Sequence, residues 1–126
     1  TVNRSIKQLN KYDFKSFKKK RSFFAMTAHV IYKSLDSNNT ATHSKKVIEF
    51  IRNKIGFKNI IISDDLSMKS LKDDMKEKTI KTFKAGCNIA LHCNSNLNEM
   101  KIVADNSPLI SSFIIKKTSQ FYKILS

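Results

Sequence analysis

The chain has 126 residues, enough for a single domain that closes one core, with 24 Lys and Arg against 10 Asp and Glu, a net charge of +14 and a pI near 9.9. So basic a chain raises nucleic acid as a partner. Only Arg4, Arg21 and Arg52 offer the forked guanidinium that base and phosphate recognition favours, so a solvated lysine surface is the stronger reading and nucleic acid is disfavoured. Cys87 and Cys93 have neither C-x-x-C spacing nor a disulfide framework, no apolar run approaches the roughly eighteen residues of a membrane span, and Thr1-Val2-Asn3-Arg4 does not open a signal peptide. These features point away from zinc, a metal or another cofactor, and a membrane partner, and towards a reducing, cytoplasmic setting.

In chain order, Ile6, Leu9, Tyr12, Phe14 and Phe17 recur at roughly helical spacing after Ser5, predicting a helix from Ser5 to about Lys20 that ends on the basic run Lys18-Lys19-Lys20-Arg21. Phe23 to Ala28 reads as a buried strand. Ser44 caps a second helix carrying Val47, Ile48, Ile51 and Ile55, and Gly56 stops it. Asn59 to Ser63 is a second strand. A lysine-rich helix then ends at Ala85-Gly86, Cys87 to Leu91 is a third strand, and helical patterns lie on either side of Pro108.

Alternating helices and continuous apolar strands predict parallel β/α units, an α/β fold in which polar groups gather at the carboxyl ends of the strands. Those ends are Thr27-Ala28-His29, Ser63-Asp64-Asp65 and His92-Cys93-Asn94. Period-two alternation sets Asp64 on the face of Ile60 and Ile62 and aims it into a pocket, while Asp65 points the other way, where a following helix wants an N-cap. Two bland readings stay open: both aspartates as capping and turn residues, and His29 as a structural histidine. A metal site built from Asp64, Asp65 and His29 has no diagnostic spacing.

"AMTAHVIYKSLD", "ATHSKKVIEFIRNKIGF", "IISDDLSMKSL" and "AGCNIALHCN" occur in an order that resembles glycoside hydrolase family 3, in particular its bacterial β-N-acetylglucosaminidases. The resemblance implies a partial TIM (β/α)8 barrel, about its last three β/α units, over residues 1–126, with 1–94 matching the family and 95–126 a helical tail. It also implies retaining hydrolysis of terminal β-linked N-acetylglucosamine in cytoplasmic peptidoglycan recycling, the sugar or a muropeptide being the substrate. Asp64 falls on the family's nucleophile, and Met26, Thr27 and His29 line the substrate rim, with Asn94 a further candidate.

Departures from that pattern are Asn59 for a second glycine, Asn88 for an aspartate and His43 for a leucine. The family's K-H-F-P-G-H-G segment and its acid/base histidine loop do not occur in this chain. A whole barrel takes about 250 residues, which leaves four expectations: a remnant, a split-gene product completed by a separate chain, a partial record of a longer enzyme, or a small basic α/β protein binding nucleic acid.

Overall fold

The computed structural model describes residues 1–18 and 22–125. A three-stranded parallel sheet in the order β1-β2-β3, formed by β1 (Phe24–Met26), β2 (Ile60–Asp65) and β3 (Ile89–Leu91), carries the chain. Helices α1 (Ile6–Lys11), α2 (Lys45–Phe50), α3 (Met75–Ala85), α4 (Leu97–Asp105) and α5 (Ser112–Leu125) connect and follow the strands. The α/β class and the parallel sheet therefore stand as read from sequence.

Local chemistry explains most boundaries. Ser5 forms a capping box with Gln8, its side chain meeting the Gln8 N–H while the Gln8 side chain returns to the Ser5 N–H. Ser44 accepts from the Val47 N–H at the start of α2. That helix widens into a π-turn over Ile51–Ile55 and stops at Gly56, whose φ of +84° an L side chain resists. Gly86, at φ +110°, ends α3 in the same way.

The first helix is shorter than its apolar spacing predicts. It ends at Lys11, and a 3-10 turn at Phe14–Phe17 follows. Leu9 and Phe14, five residues apart, would lie about 140° apart on a continuous helix. The break at Tyr12-Asp13 lets both bury, Phe14 against Tyr32 and Phe50. Of the basic run expected to end that helix, Lys19, Lys20 and Arg21 lie outside the described residues.

One face of the sheet is covered by α2 and α3: Ile61 packs with Ile48, Ala85 and Cys87. Leu66, Leu71 and Met75 form a second cluster, against which Ala90 and Val103 rest. At the amino ends of the strands, the Arg52 guanidinium binds the carbonyls of Phe57 and Asn59 and donates to Asn88 Oδ1 at 2.7 Å. The same Oδ1 accepts the Ile61 N–H at 2.9 Å, so one asparagine ties β3 to β2 and to the end of α2.

Candidate functional site

The strand β2 extends two residues beyond the predicted Ser63, so that Asp64 and Asp65 are its last residues. Pairing with β3 changes register between Ile62 and Asp65, which face Ile89 and Leu91. Three steps on β2 thus match two on β3, a bulge. Ser63, fully buried, fills the gap by accepting the Leu91 N–H on its Oγ at 2.9 Å. Simple alternation does not run through this bulge. The two carboxylates are told apart by their hydrogen bonds instead.

Asp65 is committed to the protein. Its Oδ1 accepts the N–H groups of Ser67 and Cys93 at 2.9 and 3.0 Å, and its Oδ2 accepts the Ser67 hydroxyl at 2.6 Å. Burial works against its charge, but these donors outweigh it and hold the carboxyl below its ordinary range. The expected N-cap role is corrected here. The next helix begins only at Met75, and its cap is Asp74, which accepts the Glu77 N–H at 2.9 Å, whereas Asp65 closes an Asx turn and joins the ends of β2 and β3.

Asp64 is half-buried and lightly committed. Its Oδ1 accepts the N–H of Asp65 at 2.9 Å, and among the described residues no other protein donor reaches its carboxylate. Its other oxygen is thus free of protein donors among the described residues.

The carboxyl end of β1 is bound to that of β2. The Thr27 N–H donates to the Ile62 carbonyl at 2.9 Å, and His29 Nε2 lies 2.8 Å from the Asp65 carbonyl. A carbonyl only accepts, so Nε2 carries the proton. The other ring nitrogen lies 3.0 Å from Thr42 Oγ1, which contacts Thr27 Oγ1 at 2.9 Å. Both nitrogens of His29 are therefore occupied by protein, and the ring braces the peptide that follows Asp65.

Sequence reasoning missed Thr42 and Glu99. Glu99 Oε2 meets His92 Nε2 at 2.9 Å and accepts from Asn94 Nδ2 at 2.6 Å, and the contact with His92 lowers its carboxyl from the ordinary range. The signal for Glu99 was its place three residues after Asn96, the N-cap of α4. Asn94 thus stands at the rim, held by Glu99. The buried Nδ1 of His92 has no partner among the described residues.

Met26 is well exposed on β1 and lines a different space, an apolar cleft of about 450 Å³ between the outer side of β1, the 3-10 turn and α2. Phe14, Phe24, Tyr32 and Phe50 share its walls, and neither Asp64 nor His29 does. The structure thus brings His29 and Asp64 onto one rim and places Met26 at the open edge beside it. Among the described residues no group of three or more His, Cys, Asp or Glu is arranged to hold a metal, and no helix is long and apolar enough to cross a membrane.

Comparison with known proteins gives this chain a lineage. The chain is 33% identical over 96 residues to the beta-hexosaminidase of Neisseria meningitidis serogroup C, an alignment covering 72% of this chain and 27% of that protein. The native NagZ crystal structure from Neisseria gonorrhoeae superposes with a TM-score of 0.76 at 28% identity, over 92% of this chain and 34% of that one. The beta-N-acetylglucosaminidase from Thermotoga maritima gives 0.66 at 29% identity, over 92% and 28%. This chain therefore spans about a third or less of the length of these relatives. The description "Glycosyl hydrolase family 3 N terminal domain" matches residues 1–119, and the chain belongs to that family.

Proposed function

We propose that this chain carries the nucleophile side of a retaining β-N-acetylglucosaminidase site, with Asp64 as the nucleophile. The observation that carries the reading is the unequal commitment of the two aspartates. Asp65 is saturated by three donors, and Asp64 keeps an oxygen free at a rim whose other polar groups are bonded to one another. In this reading the three β/α units are the last part of a (β/α)8 barrel, residues 95–126 form its helical tail, and the other five units, with the acid/base loop, make up the complementary half-barrel. The open edge of β1 and its apolar cleft are where that half-barrel begins.

The chemistry follows from the residues. The Asp64 carboxylate attacks the anomeric carbon, the glycosidic bond breaks, and the leaving oxygen takes a proton from the complementary half. A glycosyl ester on Asp64 results, and water delivered from the opposite side releases the sugar with retention. Proton delivery commonly supplies a factor of about 10² to 10⁴, so the chain alone acts slowly and prefers activated leaving groups. His29 fixes the backbone from which Asp64 projects, through the Asp65 carbonyl, and Met26 offers an apolar surface beside it. The substrate is an N-acetylglucosamine-containing sugar, in particular a muropeptide of cell-wall recycling in the cytoplasm.

Intact-mass spectrometry tests this. The chain, alone and mixed with the amino-terminal half of a family relative, is exposed to an activated 5-fluoro N-acetylglucosaminide, whose ring fluorine slows breakdown of the ester. A gain of one sugar that disappears in Asp64→Ala is expected. No adduct from associated halves refutes the proposal.

A further inference from the structure

The acidic and basic residues divide along the sheet axis. The connections leaving the carboxyl ends of the strands, 27–44, 63–77 and 92–99, hold seven of the ten acidic residues. Of the other three, Asp13 follows α1, and Glu49 and Asp105 lie in the last turns of α2 and α4, beside the opposite pole, whose own segments carry none. The stretches 51–59 and 84–88, which lead into β2 and β3, and the tail 106–126 carry Lys54, Lys58, Lys84, Lys116, Lys117 and Lys123 but no Asp or Glu. The net charge of +14 is therefore concentrated by the placement of the acids rather than of the lysines, which occur at both poles.

Helix α5 lies under that basic pole. Its Phe121 ring packs against Phe23 and Phe24 at 5.4 and 5.3 Å, at the start of β1. Its Phe113 ring lies 5.9 Å from the guanidinium carbon of Arg52, the residue bonded to the segments entering β2 and β3. Ile114, Lys117, Thr118 and Phe121 form its half-buried stripe. At 100° per residue, Lys116, Ser119 and Lys123 face directly away, flanked by Ile115 and Tyr122. No residue of α5 is fully buried. Ile115, Tyr122, Ile124 and Leu125 are at least half exposed, and the preceding loop adds Ile110 at 66% and Leu109 at 96% exposure.

Exposed aliphatic and tyrosine side chains beside lysines, in a tail with no acid after Asp105, match the headgroup boundary of an anionic bilayer, where lysines meet phosphates and apolar groups sink below them. Nucleic acid fits less well, because Arg52, the one arginine at this pole among the described residues, is already engaged by backbone carbonyls and Asn88, and Tyr122 is a single ring among aliphatic side chains that give bases no stacking surface. We propose that α5 and the Leu109-Ile110 loop form a docking surface for anionic lipid, holding the chain on a membrane with the Asp64 rim facing away from it.

The test needs no catalysis. The chain is sedimented with vesicles of phosphatidylcholine alone or mixed with phosphatidylglycerol, at low and high salt, and in parallel with a DNA duplex. Binding to the mixed vesicles only, weakened by salt, is expected. Lys116→Gln with Lys123→Gln should weaken it roughly thirty-fold, about five-fold for each lysine. Leu109→Ser with Ile110→Ser should weaken it comparably, with circular dichroism and melting unchanged in both. Since the chain has no tryptophan, Tyr122→Trp adds a depth reporter, whose emission should shift to the blue and be quenched by brominated lipid. Absence of vesicle binding, binding indifferent to all four substitutions, an unquenched reporter, or tighter binding to the duplex than to the vesicles each overturns the proposal.

Discussion

Asp36 offers the sharpest quantitative test of how the rim is supported. It is 8% exposed, and its carboxylate accepts the N–H groups of Asn38 and Asn39, the side-chain amide of Asn39 and the Ser44 hydroxyl at 2.7 Å. Burial opposes its charge, yet these donors lower its pKa from 3.8 to about 2. At roughly 1.4 kcal/mol per pKa unit, the ionised form contributes about 2 kcal/mol to folding. Because the folded pKa is the lower one, that contribution is complete above about pH 4 and is lost as pH falls towards 2. Asp36→Asn should therefore lower stability at neutral pH by about 2 kcal/mol, or roughly 8 °C in Tm for a domain of this size, while the gap from the parent closes in acid. Urea unfolding of both proteins across pH measures this. A gap that stays constant down to pH 2 would show that the charge of Asp36 contributes nothing, and that the loop carrying His29 and Thr42 is held by packing alone.

The two glycines separate conformational strain from crowding. Gly56→Ala should cost about 1 kcal/mol for the left-handed backbone alone, since a Cβ there meets nothing within 4 Å, whereas Gly86→Ala should cost more because its Cβ would lie 3.1 Å from Ile48 Cγ2; equal losses in chemical denaturation would refute this. Asn88→Asp puts a carboxylate beside the Arg52 guanidinium while keeping an acceptor for the Ile61 N–H, and should stabilise the chain by about 1 kcal/mol in the same assay, a loss of stability counting against it. Thiol titration at mildly alkaline pH should label Cys93, which is exposed, and spare Cys87, whose thiol burial pushes up to about 12; two rapidly reacting thiols in the folded chain would contradict the buried placement.

What the sequence made legible follows from interactions close along the chain. Ser5, Ser44, Gly56 and Gly86 mark helix ends because caps and left-handed turns are satisfied within a few residues. The isoleucine run of β2 announced a strand covered on its helix-facing side, where Ile61 meets α2 and α3. Asp64 was legible as a strand-end carboxylate, but its difference from Asp65 was not. That difference depends on the Cys93 N–H, twenty-eight residues away, and on a bulge produced by pairing with β3. His29 was visible as a polar group at a strand end, while its two hydrogen bonds depend on Thr42 and on the Asp65 carbonyl, which only the fold brings near. The short α1 was misread because the apolar spacing is nearly helical on both sides of a break that only the packing of Phe14 explains.

The departures from the family pattern fall where they can be absorbed. Asn59, standing for a glycine, donates from its Nδ2 to the Ser22 carbonyl at 2.8 Å and so joins the segments entering β2 and β1. Asn88, standing for an aspartate, still supplies one oxygen to both Arg52 and Ile61. Both lie at the amino ends of the strands, the end of a β/α fold where side chains serve stability. At the carboxyl ends, Ser63, Asp64 and Asp65 keep their type and divide three tasks: one repairs the ladder, one is free, and one binds the adjoining turns. His43, the third departure, lies beneath this rim with its Nε2 buried and without a partner among the described residues, and burial lowers its pKa to about 4. A leucine fills such a space without an orphaned nitrogen. Since the half-buried ring with its enclosed Nε2 resists protonation, the chain should lose stability as pH falls from the ordinary histidine range near 6.5 towards 4, and His43→Leu should remove that loss and raise stability at neutral pH. An unchanged acid response in His43→Leu would mean that the ring is hydrated rather than buried, and the rim would then rest on a looser base than these contacts describe.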